Sequence, residues 1–412
     1  MPSPATDPAG AALAASAMGP SVLSDAQELL ASAVGLRRRI HARPEVGLDL
    51  PETQRAVLGS LEGLGLEVST GVATTSVLAA LEGGTPGPTT LLRADMDALP
   101  MPEDTGLPYA STVEGAMHAC GHDAHVAMLV GAAQLLARRR AEVPGRVLFM
   151  FQPGEEGHGG ARVMLEEGLL DRHGPVDRAF ALHITPIFPS GSISTRPGTL
   201  MASADEFRTV VTGRGGHASM PHDAIDPLPV ACEIVTALQS MVTREVPAFD
   251  PAVLTVARIS GGTTFNVIPE HVVLEGTVRA VSATTRERVI EGLMRTGEHV
   301  GAAHRCRVES AVLPGSYPVT VNDPGTARHC LATARALLGD DHAVEMADPL
   351  MGAEDWSYVL ERVPGAMAFL GAAPPGAGQP APNHSNRMLI DEKAMAAGIA
   401  MHAAMACAPS GR

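Results

Sequence analysis

The chain has 412 residues, enough for two domains rather than one. Hydrophobic residues make up 45% of it, which supports a large core and excludes wholesale disorder. The formal net charge of −15 excludes the basic surface that a nucleic-acid partner needs, although a local cationic site can still sit within an acidic surface.

Residues 1–22 carry proline breaks and no basic segment ahead of an apolar core, so they read as a flexible arm rather than a signal peptide. From Ser24 to Arg39 apolar residues recur at helical spacing. "SVLAALEGG" and "TTLLRADMD" read as strands, followed by a proline-rich loop through Tyr109. "AHVAMLVGAAQLLARRR" has the composition of a buried helix whose basic last turn complements the dipole. "GRVLFMFQPGEEGHGG" is an apolar strand entering a glycine-rich loop, "ARVMLEEGLL" a helix and "DRAFALHIT" a strand. Continuous apolar strands alternating with helices indicate an α/β domain with a mostly parallel sheet.

Around Gly198 the pattern changes. "EFRTVVTGRG", "AVLTVARISGG", "VVLEGTVRA" and "CRVESAVLP" read as strands, and "DPLPVACEIVTALQSMVTR" and "TTRERVIEGLMRTGEHVGAAH" as helices. The order β-α-β-β-α-β predicts a ferredoxin-like α+β domain inserted into the larger one. From about Pro314 the α/β character returns, with "GAMAFLGA" a strand and "DEKAMAAGIAMHAAMA" a closing helix. The expected organisation is an arm over 1–22, a catalytic domain over 23–197 and 313–412, and a smaller domain over 198–312. No apolar stretch is long enough to span a membrane. The five cysteines, Cys120, Cys232, Cys306, Cys330 and Cys407, are scattered and lack a Cys-x-x-Cys pair. No disulfide framework is expected, and a reducing, cytoplasmic setting fits.

The residues able to carry chemistry collect at strand ends. "HACGHDAH" (His118–His125) places Cys120 and His122 just before a helix, where dipole and free N–H groups favour a thiolate. Thiolate and imidazole suit zinc and related divalent metals; a buried thiol beside a capping Asp123, or Cys-His nucleophilic catalysis, are the other readings. In "QPGEEG", neighbouring Glu155 and Glu156 point in different directions, so one can bind metal while the other stays free as a general base; a solvated loop is the plain alternative. Asp95 and Asp97 end one strand and His183 another, while His384 comes from a distant loop. Ligands bind outside the carboxyl ends of strands in open α/β sheets, so these residues are expected to converge. Asp95 and Asp97 would orient ligands, or serve as caps. His118 and His125 have no assigned role beyond support of the site or packing.

"RADMDALP", "HACGHDAH", "QPGEEGHGGARVM", "GGHASMPH", "FNVIP", "GTVRA" and "GAEDWSY" occur in that order. Together they resemble the dinuclear-metal amidohydrolases that include hippurate hydrolases, N-acyl-amino-acid deacylases and auxin-conjugate hydrolases, a branch of the zinc aminoacylases and carboxypeptidases. The resemblance runs from "HARPEVG" at His41 to the C-terminal helix. It implies a zinc-peptidase-like three-layer α/β catalytic domain and a ferredoxin-like lid or dimerisation domain. It also implies that Cys120, His122, Glu156, His183 and His384 hold two divalent ions (zinc, manganese, cobalt or nickel), with Glu155 as general base and Asp97 as an orienting aspartate. His217 matches a histidine that assists the carbonyl oxygen across a dimer interface, and Asn266 and Arg279 match positions that grip the substrate's carboxylate. Without the resemblance these three would read as an exposed hairpin histidine, a turn residue and a surface charge. After His384 the chain reads "SNRMLID" where relatives carry a proline and an aromatic pair, so the pocket wall is expected to differ.

The implied activity is hydrolysis of small N-acyl amino acids by a metal-activated water, in a homodimer with no nucleic-acid or membrane partner. A dipeptidase or carboxypeptidase using the same site is the second reading, and an inactive metal- or peptide-binding protein the third.

Overall fold

The computed structural model describes Gly19 and residues 21–407. The arm expected over residues 1–22 lies outside them except for Gly19, Ser21 and Val22, and the last two already begin the first helix. In chain order the elements open with α1 (Ser21–His41), α2 (Pro51–Leu61), β1 (Glu67–Thr70), β2 (Val77–Glu82) and β3 (Thr85–Asp95). Next come α3 (His122–Arg138), β4 (Pro144–Gln152), α4 (Gly160–Glu166), β5 (Arg178–Thr185), β6 (Ile193–Thr195) and β7 (Gly198–Met201). The middle of the chain forms β8 (Asp205–Thr212), β9 (Gly216–His217), α5 (Pro227–Glu245), β10 (Ala252–Gly261), β11 (Val267–Ile268) and β12 (His271–Ala280). It continues with α6 (Ala283–Ala303), β13 (Arg307–Val312) and β14 (Thr320–Asn322). The last elements are α7 (Pro324–Leu338), β15 (Ala343–Glu345), α8 (Ser357–Leu360), β16 (Gly365–Gly371) and α9 (Met395–Ala406).

The chain divides into two compact units, one of residues up to Leu200 with Val321–Asp348 and the segment from Tyr358, the other of Met201–Thr320 with Pro349–Ser357. The first unit is built on an eight-stranded sheet ordered β1-β2-β4-β3-β5-β16-β6-β15. Its centre, β4-β3-β5-β16, is parallel throughout, while β2 and β6 pair antiparallel with their central neighbours. Val147–Gln152 of β4, Ala179–Thr185 of β5 and all of β16 are buried on both faces, which is why they read as unbroken apolar runs. Helix α1 buries Val22, Ala26, Leu29, Ala33, Leu36 and Ile40, a stripe at helical spacing. Helix α3 is buried nearly all round and packs between α1, α9 and strand β3.

The second unit has a four-stranded antiparallel sheet ordered β10-β12-β8-β13 with α5 and α6 against it. This is the ferredoxin-like order that β-α-β-β-α-β connectivity requires. Its strands alternate, as Asp205, Phe207, Thr209 and Val211 face inward while Glu206 and Arg208 face out. Capping fixes where the helices begin. Asp226 accepts from the N–H of Leu228 ahead of Pro227, and Ser282 accepts from the N–H of Thr285. One charged pair crosses this core: Arg286 of α6 donates from Nε and Nη2 to the buried Asp205 carboxylate at 2.8 and 2.7 Å. Arg286→Ala removes that partner from a buried carboxylate and is expected to cost about 3 kcal/mol. Hydrogen exchange across β8 and α6 checks it, and protection unchanged from wild type would contradict this role for the pair.

Candidate metal centre and active site

Cys120 ends the loop that enters α3, and His122 is the first residue of that helix. The turn between them needs Gly121. Its φ is +88°, and a Cβ there would lie 2.5 Å from Cγ2 of Ile184. The loop is thereby pressed against the end of β5, which carries His183. The loop after β4 brings Glu155 and Glu156 to the neighbouring strand end, where a Cβ on Gly160 would sit 1.6 Å from the carbonyl of Pro153. His384 arrives from the loop before α9, with its own N–H donating to the Ala119 carbonyl at 2.7 Å.

The side chains converge as the sequence pattern requires. Ligand atoms of Cys120, His122 and His183 lie within 4.8 Å of one another, as do those of Cys120, Glu156 and His384, and those of His122, Glu155 and Glu156. Sγ of Cys120 is 3.3 Å from Nε2 of His183. Oε1 of Glu156 is 3.1 Å from Nε2 of His384 and 4.0 Å from Nε2 of His122. Backbone carbonyls set the imidazoles. Nδ1–H of His122 donates to the Asp97 carbonyl at 2.9 Å, and Nδ1–H of His183 donates to the Ile184 carbonyl at 2.8 Å. Each ring therefore turns its Nε2 toward Cys120 and Glu156. Nε2 of His122 also lies 3.4 Å from Oδ2 of Asp95, so carboxylates flank it on two sides. Crowding donors of this kind is costly unless a cation completes them.

Asp97 shapes the glutamate loop directly. Its two carboxylate oxygens accept from the backbone N–H groups of Glu155 and Glu156, each at 3.0 Å. Asp95 forms a different structure. It accepts from Nδ1 of His125 and pairs with Nη1 of Arg93 at 2.6 Å, while Nε of Arg93 donates to Gln152 at 2.9 Å. The Ile184 N–H donates to Nε2 of His125 at 2.7 Å, so both ring nitrogens of His125 are committed and it supports the site without facing it. His118 is fully buried 6.2 Å from the His41 ring, with neither nitrogen hydrogen-bonded; burial pushes it down to about 4, leaving it neutral.

Charge in the cluster is finely divided. Burial pushes the Cys120 thiol up, against the pull of His122, so the helix start alone does not produce a thiolate. Hydrogen bonds that its imidazole donates to Cys120 and Glu156 carry His384 up to about 10. Burial opposes the charged form of His122, but Asp95 and Cys120 outweigh it and raise the group well above its ordinary value. Burial and the neighbouring His125 hold His183 well below its own. The three imidazoles thus differ, with His122 and His384 favouring the cationic form and His183 the neutral one.

His217 and Asn266 belong to the second unit, where they line one open concavity of about 770 Å³ with Arg214, Thr263 and His271. The backbone N–H of Ser219 donates to Nδ1 of His217 at 3.1 Å, which leaves the ring proton on Nε2 as an outward donor. Arg279 is not with them. It sits eight residues beyond His271 on the continuous strand β12, about 26 Å away at strand rise. Burial lowers its pKa, and Asp205 and Glu206 partly offset that.

Behind α3, a buried charged network ties α1 to the helix start. Asp123 accepts from Nε of Arg37 at 2.9 Å and pairs with Nδ1 of His41 at 2.8 Å; Nε2 of His41 is 3.3 Å from Glu103. Sequence reading assigned none of Arg37, His41 and Glu103 to the site, because their partners are 62 to 86 residues away. Burial pushes His41 down, but Asp123 and Glu103 outweigh it and bring the imidazole to about 9. Raised above its ordinary 6.5, this group stabilises the fold fully below pH 6.5 and loses that contribution as pH rises through about 9. His41→Gln is therefore expected to cost roughly 3 kcal/mol near pH 6 and progressively less toward pH 10. Denaturant unfolding across that range is the measurement, and a cost independent of pH would contradict the charged state of His41.

Comparison with known proteins gives the same answer as the geometry. The model of peptidase family M20/M25/M40 matches residues 91–408. Thermostable carboxypeptidase 1 of Saccharolobus solfataricus is 36% identical over 93% of this chain and 96% of its own length. N-acetylcysteine deacetylase of Bacillus subtilis is 39% identical over 82% of this chain and 87% of its own. The crystal structure of a dinuclear metal-binding M20 peptidase from Bacillus subtilis superposes with a TM-score of 0.79 at 33% identity, covering 92% of this chain and 98% of that one. Among the described residues no helix is long and apolar enough to cross a membrane. The donor set at the carboxyl ends of a parallel sheet, the inserted ferredoxin-like unit and these matches make the chain a member of peptidase family M20/M25/M40, an enzyme that hydrolyses amide bonds.

Proposed function

We propose that this enzyme removes the acyl group from small N-acyl amino acids at a pair of divalent cations held by Cys120, His122, Glu156, His183 and His384. The observation that carries the reading is the convergence of ligand atoms, with Cys120, His122 and His183 in one group and Cys120, Glu156 and His384 in another, each within 4.8 Å. Thiolate and imidazole donors suit zinc, cobalt, nickel or manganese better than an all-oxygen cation. When bound, such cations polarise an amide carbonyl and make water acidic enough to attack near neutral pH.

Glu155 is the base in this scheme. Asp97 grips its backbone N–H, so the loop is fixed while the carboxylate takes a proton from the attacking water and passes it to the leaving nitrogen. His217 donates from Nε2–H to the carbonyl oxygen as charge builds there, and one such donor is worth about 3 kcal/mol of barrier. Asn266 and Arg279 hold the substrate's carboxylate. Arg279 lies about 26 Å along β12 from His271, which lines the same concavity as His217 and Asn266, so the scheme uses a homodimer in which His217 and Asn266 act on the partner's site. The smaller unit has a surface suited to that: β10 is an edge strand with exposed Val253 and Ile259, and Phe249 and Phe265 lie fully exposed beside it.

The N-acetylcysteine deacetylase relative supports an N-acyl amino acid as substrate, while the carboxypeptidase relative supports a second reading in which the acyl side is a peptide. All five cysteines are free, which fits a reducing cytoplasm. Amino-acid release from N-acyl amino acids, dipeptides and longer peptides is the test, run after chelation and after return of zinc, manganese, cobalt or nickel. Activity is expected to vanish and return with metal, with N-acyl amino acids preferred; preference for peptides would favour the second reading. Glu155→Gln is expected to lose about 10²- to 10⁴-fold in kcat with its metal content unchanged. Folded, metal-loaded protein that turns over none of the panel, or a fully active Glu155→Gln variant, would overturn the scheme.

A further inference from the structure

His384 is one of two non-glycine residues with positive φ among the described residues, at +67°. That backbone conformation is costly for a histidine and persists only where its surroundings hold it. The preceding residue does so. Nδ2 of Asn383 donates to the carbonyl of Cys120 at 3.0 Å and to the carbonyl of Ile184 at 3.2 Å, while its Oδ1 accepts from the hydroxyl of Thr185 at 2.8 Å. Carbonyl oxygens can only accept, so the amide must turn its nitrogen to both of them, and the threonine hydroxyl then donates to the oxygen. The Ile184 carbonyl held in this way is the one that accepts Nδ1–H of His183. A single carboxamide therefore links the segments that carry Cys120, His183 and His384.

We propose that Asn383 is a positioning residue of the metal centre, its carboxamide fixing those three donors relative to one another. This rests on the reading of the donor set as a metal site. An aspartate would have the same size but no N–H, and its carboxylate would face two carbonyl oxygens. The chain thus needs the amide, and any residue that merely fills the space would fail. Thr185 locks the amide's orientation, so its hydroxyl matters where its methyl does not.

The experiment measures affinity for zinc by chelator competition, ion stoichiometry, and the thiolate-to-cobalt charge-transfer band of the cobalt-loaded protein, none of which depends on turnover. It compares the whole wild-type protein with N383D, T185V and T185S. N383D is expected to bind zinc about 10- to 100-fold more weakly and to show an altered cobalt band. T185V should weaken binding to a smaller extent, and T185S should restore it. If wild-type protein binds no divalent ion, the metal reading itself falls and this proposal with it. If wild type binds and N383D matches it in affinity and band, the metal reading stands and the role of Asn383 is overturned. Should N383D fail to fold, the threonine pair decides, and equal affinity of T185V and T185S would overturn the proposal.

Discussion

The structure depends on a costly arrangement: carboxylates, imidazoles and a thiol crowded together at the ends of parallel strands, all but the exposed His384 largely buried. Groups of this kind cannot be desolvated together without compensation. The protein compensates in two shells. The outer shell is closed by its own partners, with Arg93 and His125 on Asp95, Arg37 and His41 on Asp123, and backbone N–H groups on Asp97. The inner shell is the donor set itself, where Glu156 meets His384 at 3.1 Å and Cys120 meets His183 at 3.3 Å. Donors turned on one another in this way separate a site from an apolar core.

Precision in the inner shell comes from main chain more than from side chains. Carbonyls of Asp97 and Ile184 orient His122 and His183, and the Ala119 carbonyl holds the backbone of His384. The Ile184 carbonyl lies on a buried strand, and those of Asp97 and Ala119 lie in buried segments beside a strand end and a helix start, so the donors are held by main chain. The same economy governs Glu155 and Glu156. Their two N–H groups share one carboxylate, which fixes the loop and leaves both side chains uncommitted to Asp97.

Much of this was legible in the sequence. Doubly buried strands appear as unbroken apolar runs, and "HACGHDAH" and "QPGEEG" stand at the ends of such runs, so convergence followed from parallel topology. The ferredoxin-like unit was readable from the order of its elements. What escaped was whatever depends on pairing across distance. Helix α2 and helix α7 went unnamed, although both begin with a proline at their first turn. His125 could not be distinguished from a metal ligand, because its exclusion rests on a bond from the Ile184 N–H, 59 residues away. Asn266 and Arg279 read as one grip on the substrate's carboxylate, and only the structure shows Asn266 sharing a concavity with His271 at the start of β12 while Arg279 lies near its end. Asn383 had a faint signal in its position beside His384, but its role needs three partners that sequence cannot bring together.

The most direct measurement is anomalous diffraction from crystals of the protein grown with zinc, recorded on both sides of the zinc absorption edge. The account predicts two anomalous peaks among Cys120, His122, Glu156, His183 and His384, with a zinc–sulfur distance of about 2.3 Å and His125 outside the coordination sphere. A single peak, or ions held by His125 and Asp95 with Cys120 uncoordinated, would contradict it.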